Sequence, residues 1–406
     1  MHKHANAARE EKLFKEVWMI KQNLEGSNGG RTVVGIDPCS EFLQLAILAP
    51  KKKIKFKKLP LSPCITEEIA KSTDPATTQI AIESYGSYGK LFIYDLLKKG
   101  YDVREVNPHI SKKLADLYSE EHSDQKDAES LAKALLFIPD LPRISITDKK
   151  QWLAKLTRTR RKLVKDLNGY LNRLHIALTE SYGVVYKKLF RNLFAKKALK
   201  FFEDYPTIND SLSDRNARMK LREEKWTLLK QAGKWENEFY LETLKTEIRG
   251  LIEIIRSVNN TKLSIEEKIR ETANQVEEMK ILKTFPGIGG IAGATLLSEI
   301  GDIDRFEKES KLSAYCGVSP VIRQSGTGRI RTKRRKRYSR RLKGILYFIS
   351  LSQIRINPES KAYYKRKKRE GKTHRQAMNA LSRQLIKIIY YMLKDKKPYV
   401  RPQIIN

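Results

Sequence analysis

Cysteine is scarce in this chain: Cys39, Cys64 and Cys316 are the only three in 406 residues. An odd number at wide spacing builds neither a disulfide framework nor a zinc motif, and predicts a protein of a reducing cytoplasm. Long apolar runs are missing too. None reaches the ~20 residues a membrane helix needs, and the longest candidate, Gly344 to Ile349, is far too short. The N-terminal residues lack the apolar core of a signal peptide. The six histidines fall into no ligand or triad spacing. Acid is also short: 47 Asp+Glu face 81 Lys+Arg, a formal charge of +34. Such an imbalance is costly without a polyanionic partner. It points to nucleic acid rather than a membrane, and to a cytoplasmic, nucleoid-associated protein.

Against that surplus, four acids occupy positions where a negative charge is costly unless something uses it. Asp37 ends the apolar run Thr32-Val33-Val34-Gly35-Ile36, and Glu83 ends Ile80-Ala81-Ile82. Asp124 and Asp127 are three apart at the start of a helix-like segment. Carboxylates at strand ends and an i,i+3 pair on one helix face can converge on one cluster. Such a cluster repels itself unless a divalent cation neutralises it, and hard oxygen ligands select Mg²⁺ or Mn²⁺. Metal carboxylates in a basic protein suggest phosphodiester chemistry.

The chain's length allows two or three domains. Residues 1–30 read as a charged helix and a Gly-rich linker. Strand patterns follow at 32–37, 42–48, 54–61, 79–83 and 103–106, with helices at 66–71, 90–99, 110–118 and 123–138. The order β-β-β-α-β-α-β-α predicts a mixed α/β sheet and is that of the ribonuclease H-like fold. That fold carries an Asp on its first strand, a Glu on its fourth and its last acids on a late helix. The four carboxylates occupy these stations, so 31–150 is expected to form one domain of this fold. A basic helical connector is expected over 151–233, with a polar turn near 205–214. Arg158, Arg160 and Arg161 are its candidate nucleic-acid contacts. A heptad pattern follows within 234–280: ten of twelve seam positions between Leu241 and Met279 are apolar. It predicts an α-helical coiled coil. Either one long helix pairs with a second copy of the chain, or Asn259-Asn260 breaks it into a hairpin.

Residues 281–406 are expected to form a mostly α C-terminal domain. Pro286-Gly287-Ile288-Gly289 resembles the turn of a helix-hairpin-helix, with Gly287 and Gly289 able to present backbone N–H groups to a phosphate. From Val321 to Ile345 there are eleven Lys/Arg and no acid. Ser325 lies there beside glycine, among Arg323, Arg329, Arg331, Lys333, Arg334 and Arg335. Residue types alone suit a phosphate-binding serine, or a nucleophile if arginines stabilise the developing charge. Lys365, Arg366, Lys367, Lys368 and Arg369, beside Tyr363 and Tyr364, suit backbone contact and base stacking.

Taken in order, these motifs resemble the DEDD transposases of the insertion-sequence 110 family, which includes the Piv-type DNA invertases. Val34-Gly35-Ile36-Asp37, Ile82-Glu83-Ser84-Tyr85-Gly86-Ser87-Tyr88, Val106-Asn107-Pro108 and Ser123-Asp124-Gln125-Lys126-Asp127-Ala128 match the first part of the family pattern. The Pro-Gly-Ile-Gly turn, Leu312 to Pro320, Gln324-Ser325-Gly326 and Asn357-Pro358 match the second. His122-Ser123 departs from a more usual Lys-Thr pair, and the first ~30 residues have no counterpart in the pattern. The resemblance implies a RuvC-like domain whose Asp37, Glu83, Asp124 and Asp127 bind Mg²⁺, and a coiled coil that joins protomers into a dimer or tetramer. It implies that Ser325 attacks DNA and becomes covalently linked to it, in a site shared between protomers. The implied partners are the DNA of element ends and target, and a structured guide RNA. Two alternatives remain: a RuvC-like Holliday-junction resolvase using water, and a non-catalytic nucleic-acid-binding scaffold.

Overall fold

The computed structural model describes residues 31–50, 52–83, 90–118, 123–138, 140–144, 149–323, 331–333 and 337–401. The helix and linker expected over 1–30, the motif residues 84–88, and Ser325, Arg329, Arg334 and Arg335 lie outside them. Two compact units divide the chain, Met1–Asp148 and Lys149–Asn406.

The first unit is built on a five-stranded sheet. Its strands are β1 (Thr32–Pro38), β2 (Phe42–Leu48), β3 (Lys55–Pro60), β4 (Thr78–Glu83) and β5 (Asp102–Val106). Their order is β3-β2-β1-β4-β5. β1 and β2, like β2 and β3, pair antiparallel, whereas β1, β4 and β5 run parallel. This mixed sheet is compatible with the ribonuclease H-like arrangement. The helices are α1 (Ile65–Ala70), α2 (Lys90–Lys98), α3 (Pro108–Tyr118) and α4 (Asp124–Phe137). Alternation along each strand sorts the side chains onto two faces. Val34, Ile36, Ile80 and Ile82 pack with Ile65 and Ile69 of α1 and Phe92 and Leu96 of α2. The opposite face presents Val33, Ala46 and Ala81, with Ala128, Leu131 and Ala132 of α4 against them.

Among its described residues the second unit is helical apart from a two-stranded ribbon. Its first helix, α5 (Lys149–Tyr182), is followed by four short helices and a fifth of ten residues: α6 (Tyr186–Leu189), α7 (Lys196–Asp204), α8 (Ile208–Ser213), α9 (Arg215–Lys220) and α10 (Glu223–Ala232). The polar turn expected near 205–214 is largely helix α8. Thr207 caps it in a box with Asp210, which satisfies the first free N–H groups.

The heptad pattern lies on α11 (Glu238–Asn274), a single helix that runs unbroken through Asn259 and Asn260, so the hairpin reading does not hold. Nor does the pattern end where the helix does. Val276 has extended backbone and starts a new helix, α12 (Glu277–Lys283). The seam itself is filled from within the chain. Leu241, Leu244, Ile248, Leu251 and Ile255 are buried with Leu167, Leu174 and Leu178 of α5 and Phe201 and Phe202 of α7. The phenol of Tyr240 donates to Glu180 at 2.6 Å, and Arg160 donates to Glu266 at 2.7 Å, so α5 and α11 run antiparallel. These five seam residues are therefore covered within the chain. A heptad states that a seam is buried but not by which helix, and here α5 of the same chain covers it.

The rest of the unit comprises α13 (Gly290–Ile300), α14 (Glu309–Tyr315), β6 (Val321–Arg323), β7 (Arg331–Lys333), α15 (Arg340–Ile356), α16 (Pro358–Arg369) and α17 (His374–Lys394). Leu296, Leu297, Leu346, Ile349, Leu385 and Ile389 belong to its second apolar core. No helix among the described residues is long and apolar enough to cross a membrane.

Candidate metal centre

Strand register brings the first two acids together. Ile36 of β1 pairs with Ile82 of the parallel neighbour β4, so Asp37 and Glu83 are the next residues along adjacent strands. Parallel strands lie about 4.8 Å apart. Alternation places both acids on the face that carries Gly35 and Ala81, the face covered by α4.

Gly35 lets α4 come close. A Cβ there would lie 1.9 Å from the carbonyl oxygen of Ala128 and 2.4 Å from the amide nitrogen of Ala132. Only hydrogen fits between β1 and the backbone of α4. That contact lies one turn beyond the start of α4, and so sets the helix N-terminus beside the strand ends. Ser123 caps α4 by accepting the N–H of Lys126, and the amide of Asp127 donates to the Ser123 carbonyl at 2.9 Å. Asp124 and Asp127 are thereby fixed in the first turn, where the helix dipole favours negative charge.

Electrostatics report the convergence. Burial, and then the charges of Asp127, Glu83 and Asp124, push the Asp37 carboxyl up to about 6. Burial also raises the pKa of Glu83; a hydrogen bond from Ser111 opposes the rise and the charge of Asp127 adds to it. The Ser111 hydroxyl donates to Glu83 Oε1 at 3.3 Å. One carboxylate oxygen each of Asp37 and Asp124, together with the Cys39 sulfur, lie within 4.8 Å of one another, a spacing that could hold a metal ion. Burial followed by the charges of Asp37 and Asp124 holds the Cys39 thiol in its protonated form. Crowded, partly desolvated carboxylates with raised proton affinity suit a divalent cation, because the cation replaces the repulsion with coordination.

Sequence reasoning missed Ser111, Cys39 and Gly35. A Gly two residues before a strand-end Asp was the available signal for the close helix. Nothing local pointed to Ser111, which arrives from α3.

The other candidates are scattered over the second unit. Arg158 gives its Nε to Glu299 at 2.9 Å, and Arg160 gives its Nε to Glu266 at 2.7 Å, so both are tied to acids inside the chain. Arg161 is exposed. Gly287, at φ +84°, packs on the Ser352 side chain, and the Gln353 amide donates to the Pro286 carbonyl, so this side of the turn is covered by α15. Gly289 is open and caps α13. Arg323 and Arg331 face each other across the β6–β7 ribbon, which also carries Lys333. Lys365 to Arg369 form the last turn and a half of α16. Tyr363 holds the cations of Arg366 and Lys367 over its ring at 5.0 and 5.4 Å, while the Tyr364 hydroxyl bonds His374.

A model described as Transposase, of the DEDD IS110 type, matches residues 34–182. A second, described as Transposase IS116/IS110/IS902 family, matches residues 279–365. Together they span more than half of the chain. The chain belongs to the IS110 transposase family. Among similar IS110-type proteins is the insertion element IS900 uncharacterized 42 kDa protein of Mycobacterium paratuberculosis, 37% identical over 35% of this chain and 35% of that protein. The transposase for insertion sequence element IS1111A of Coxiella burnetii is 22% identical over 68% of each chain. The pilin gene-inverting protein of Moraxella bovis is 27% identical over 36% of this chain and 47% of its own length. The chain thus matches about a third of the IS900 protein's length.

Proposed function

We propose that this chain is the transposase of an insertion sequence, a recombinase that cuts and exchanges DNA strands. The observation that carries the reading is the convergence of Asp37 with Glu83, Asp124 and Asp127 at one end of the sheet. These four carboxylates would hold Mg²⁺, or Mn²⁺. Bound there, the ion would supply charge neutralisation at a phosphodiester and a lowered pKa for an attacking oxygen. Ser111 orients Glu83 through its hydroxyl. Without the ion, burial and its acidic neighbours push the Asp37 carboxyl up to about 6, and an arriving cation would displace that proton and hold the carboxylate in its charged form.

Ser325 is the proposed nucleophile, supported by its place in the sequence beside Gly326 and between Arg323 and Arg329. Its oxygen forms the bond to phosphorus as the bond from phosphorus to the sugar oxygen breaks. The serine proton is released and the leaving sugar oxygen takes one up. The phosphoserine link keeps the bond energy for rejoining to a new strand. Phosphate contacts come from Arg161, Lys333, Lys365, Lys368 and Arg369. A structured RNA encoded by the element would choose the sequence by base pairing while the protein holds backbones, and the +34 charge supports two polyanionic partners.

The test is incubation with element-end DNA and Mg²⁺, followed by denaturing electrophoresis. Wild type should yield a covalent protein–DNA adduct. Ser325→Ala should lose it while still binding DNA, and Asp37→Asn or Glu83→Gln should reduce strand cleavage at least ~100-fold. An adduct that persists in Ser325→Ala moves the nucleophile elsewhere. Cleavage by wild type with no adduct replaces this reading with the water mechanism of a resolvase.

A further inference from the structure

Where α5 gives way to α6, the second unit holds a cavity of about 140 Å³, lined by His175, Tyr186, Lys187, Phe190, Arg191 and Phe202 among others. A wider groove of about 420 Å³ is lined by His175, Thr179, Tyr186 and Lys187, three of the same residues. The cavity has the volume that accepts one aromatic ring. Its walls are aromatic: Tyr186 and Phe202 are buried, and Phe190 meets Phe202 edge-on at 5.6 Å. Among the described residues His175 is held through its Nδ1, 3.0 Å from the Tyr186 hydroxyl, so Nε2 can meet a ligand. Burial and the charge of Lys187 hold its pKa below the ordinary value, which keeps the imidazole neutral. Lys187 and Arg191 are exposed, and no acidic side chain lines either space.

A flat aromatic group with a polar edge and an attached anion matches each of these features. The geometry points to a pocket for one unstacked nucleobase of a single-stranded nucleic acid. Its ring enters the Tyr186–Phe190–Phe202 cavity, its edge meets His175 Nε2, and its phosphate meets Lys187 and Arg191. Stacking on aromatic side chains is tolerant of sequence and is worth about 1–3 kcal/mol per base. The pocket would grip a strand without reading it, at a place separate from the carboxylates. The inference rests on the proposed function only in taking nucleic acid as the partner.

The experiment uses the full chain carrying Asp37→Asn, so that binding is read in a protein impaired in cleavage. Short single-stranded DNA and RNA oligonucleotides carrying one iodouracil are crosslinked by light, and the attachment is mapped by mass spectrometry. The expected crosslink falls on Tyr186, Phe190 or His175. The exposed pair Lys187→Ala and Arg191→Ala should remove it, and replacing the base by an abasic residue should weaken binding about tenfold. The arm that crosslinks, DNA or RNA, names the strand. Crosslinks that map only elsewhere, or an abasic oligonucleotide that binds as tightly, overturn the pocket. Neither result bears on strand cleavage, so the two readings fail separately.

Discussion

Acids withdrawn from water are treated in opposite ways in the two units. Glu299 is 4% exposed and takes Arg158 Nε at 2.9 Å and Arg341 Nε at 2.5 Å on one oxygen. Glu266 is 7% exposed and takes Arg160. Both acids hold helices together: α5 to α13 and α15 in one case, α5 to α11 in the other. Asp37 is surrounded by Glu83, Asp124 and Asp127, and each of those charges works against it. A chain with 81 Lys+Arg had cations to spare for this cluster. Among the described residues, the charges that act on Asp37 are all acidic, and the repulsion stored there is what an arriving cation can release, whereas the paired acids have nothing left to gain from a ligand.

That contrast breaks first at Glu299. Glu299→Gln leaves two arginines facing a neutral amide over a packed core, and should lower stability by about 2 kcal/mol, read as a lower denaturant midpoint with unchanged slope. Unchanged stability would mean the buried pair is no more structural than the cluster.

Asp37→Asn should do the reverse in metal-free buffer. The folded chain holds the Asp37 proton up to about pH 6, against the ordinary 3.8. Between those values the folded state binds more protons than the unfolded one, so stability falls as pH rises from about 4 to 6 and then levels off. The asparagine variant should lack this fall and be more stable at pH 7 by on the order of 1 kcal/mol, after allowing for solvent screening. Mg²⁺ should raise the melting temperature of wild type more than that of the variant. A wild-type curve that is flat from pH 4 to 6 would remove the stored repulsion.

The smallest effect sharpens the comparison from the surface. Glu370 is exposed, and Lys372 and Lys367 lower its pKa to about 2. Glu370→Gln should leave the melting temperature where it is, because solvent screens such pairs. It should free those lysines, so that duplex DNA binds slightly tighter and with a steeper dependence on salt.

How much of this was legible beforehand depended on how local each cause was. β-branched runs ending in Asp37 and Glu83 told their strands and their ends, because period-two alternation is a property of short segments, whereas the parallel pairing of the two strands was seen only in the structure. The acid pair on α4 was legible for the same reason. The rest needed contacts between distant residues. Arg158 meets Glu299 across 141 positions and Arg160 meets Glu266 across 106, so a charge census saw the arginines as free. Ser111 reaches Glu83 from α3, and Cys39 enters the cluster only because the chain turns after β1. The seam of α11 was seen correctly as buried, but periodicity carries no information on which helix buries it.

The 34 residues of α5 and the 37 of α11 span about 51 and 55 Å at the usual rise per residue. Each is continuous, and each contributes to both apolar cores of the second unit. Leu153 and Ile269 lie in one core, Leu174 and Ile248 in the other. They act as a pair of girders. Neither core has a loop between it and the other that could absorb a twist along this path. The two cores are therefore expected to melt in one transition rather than two.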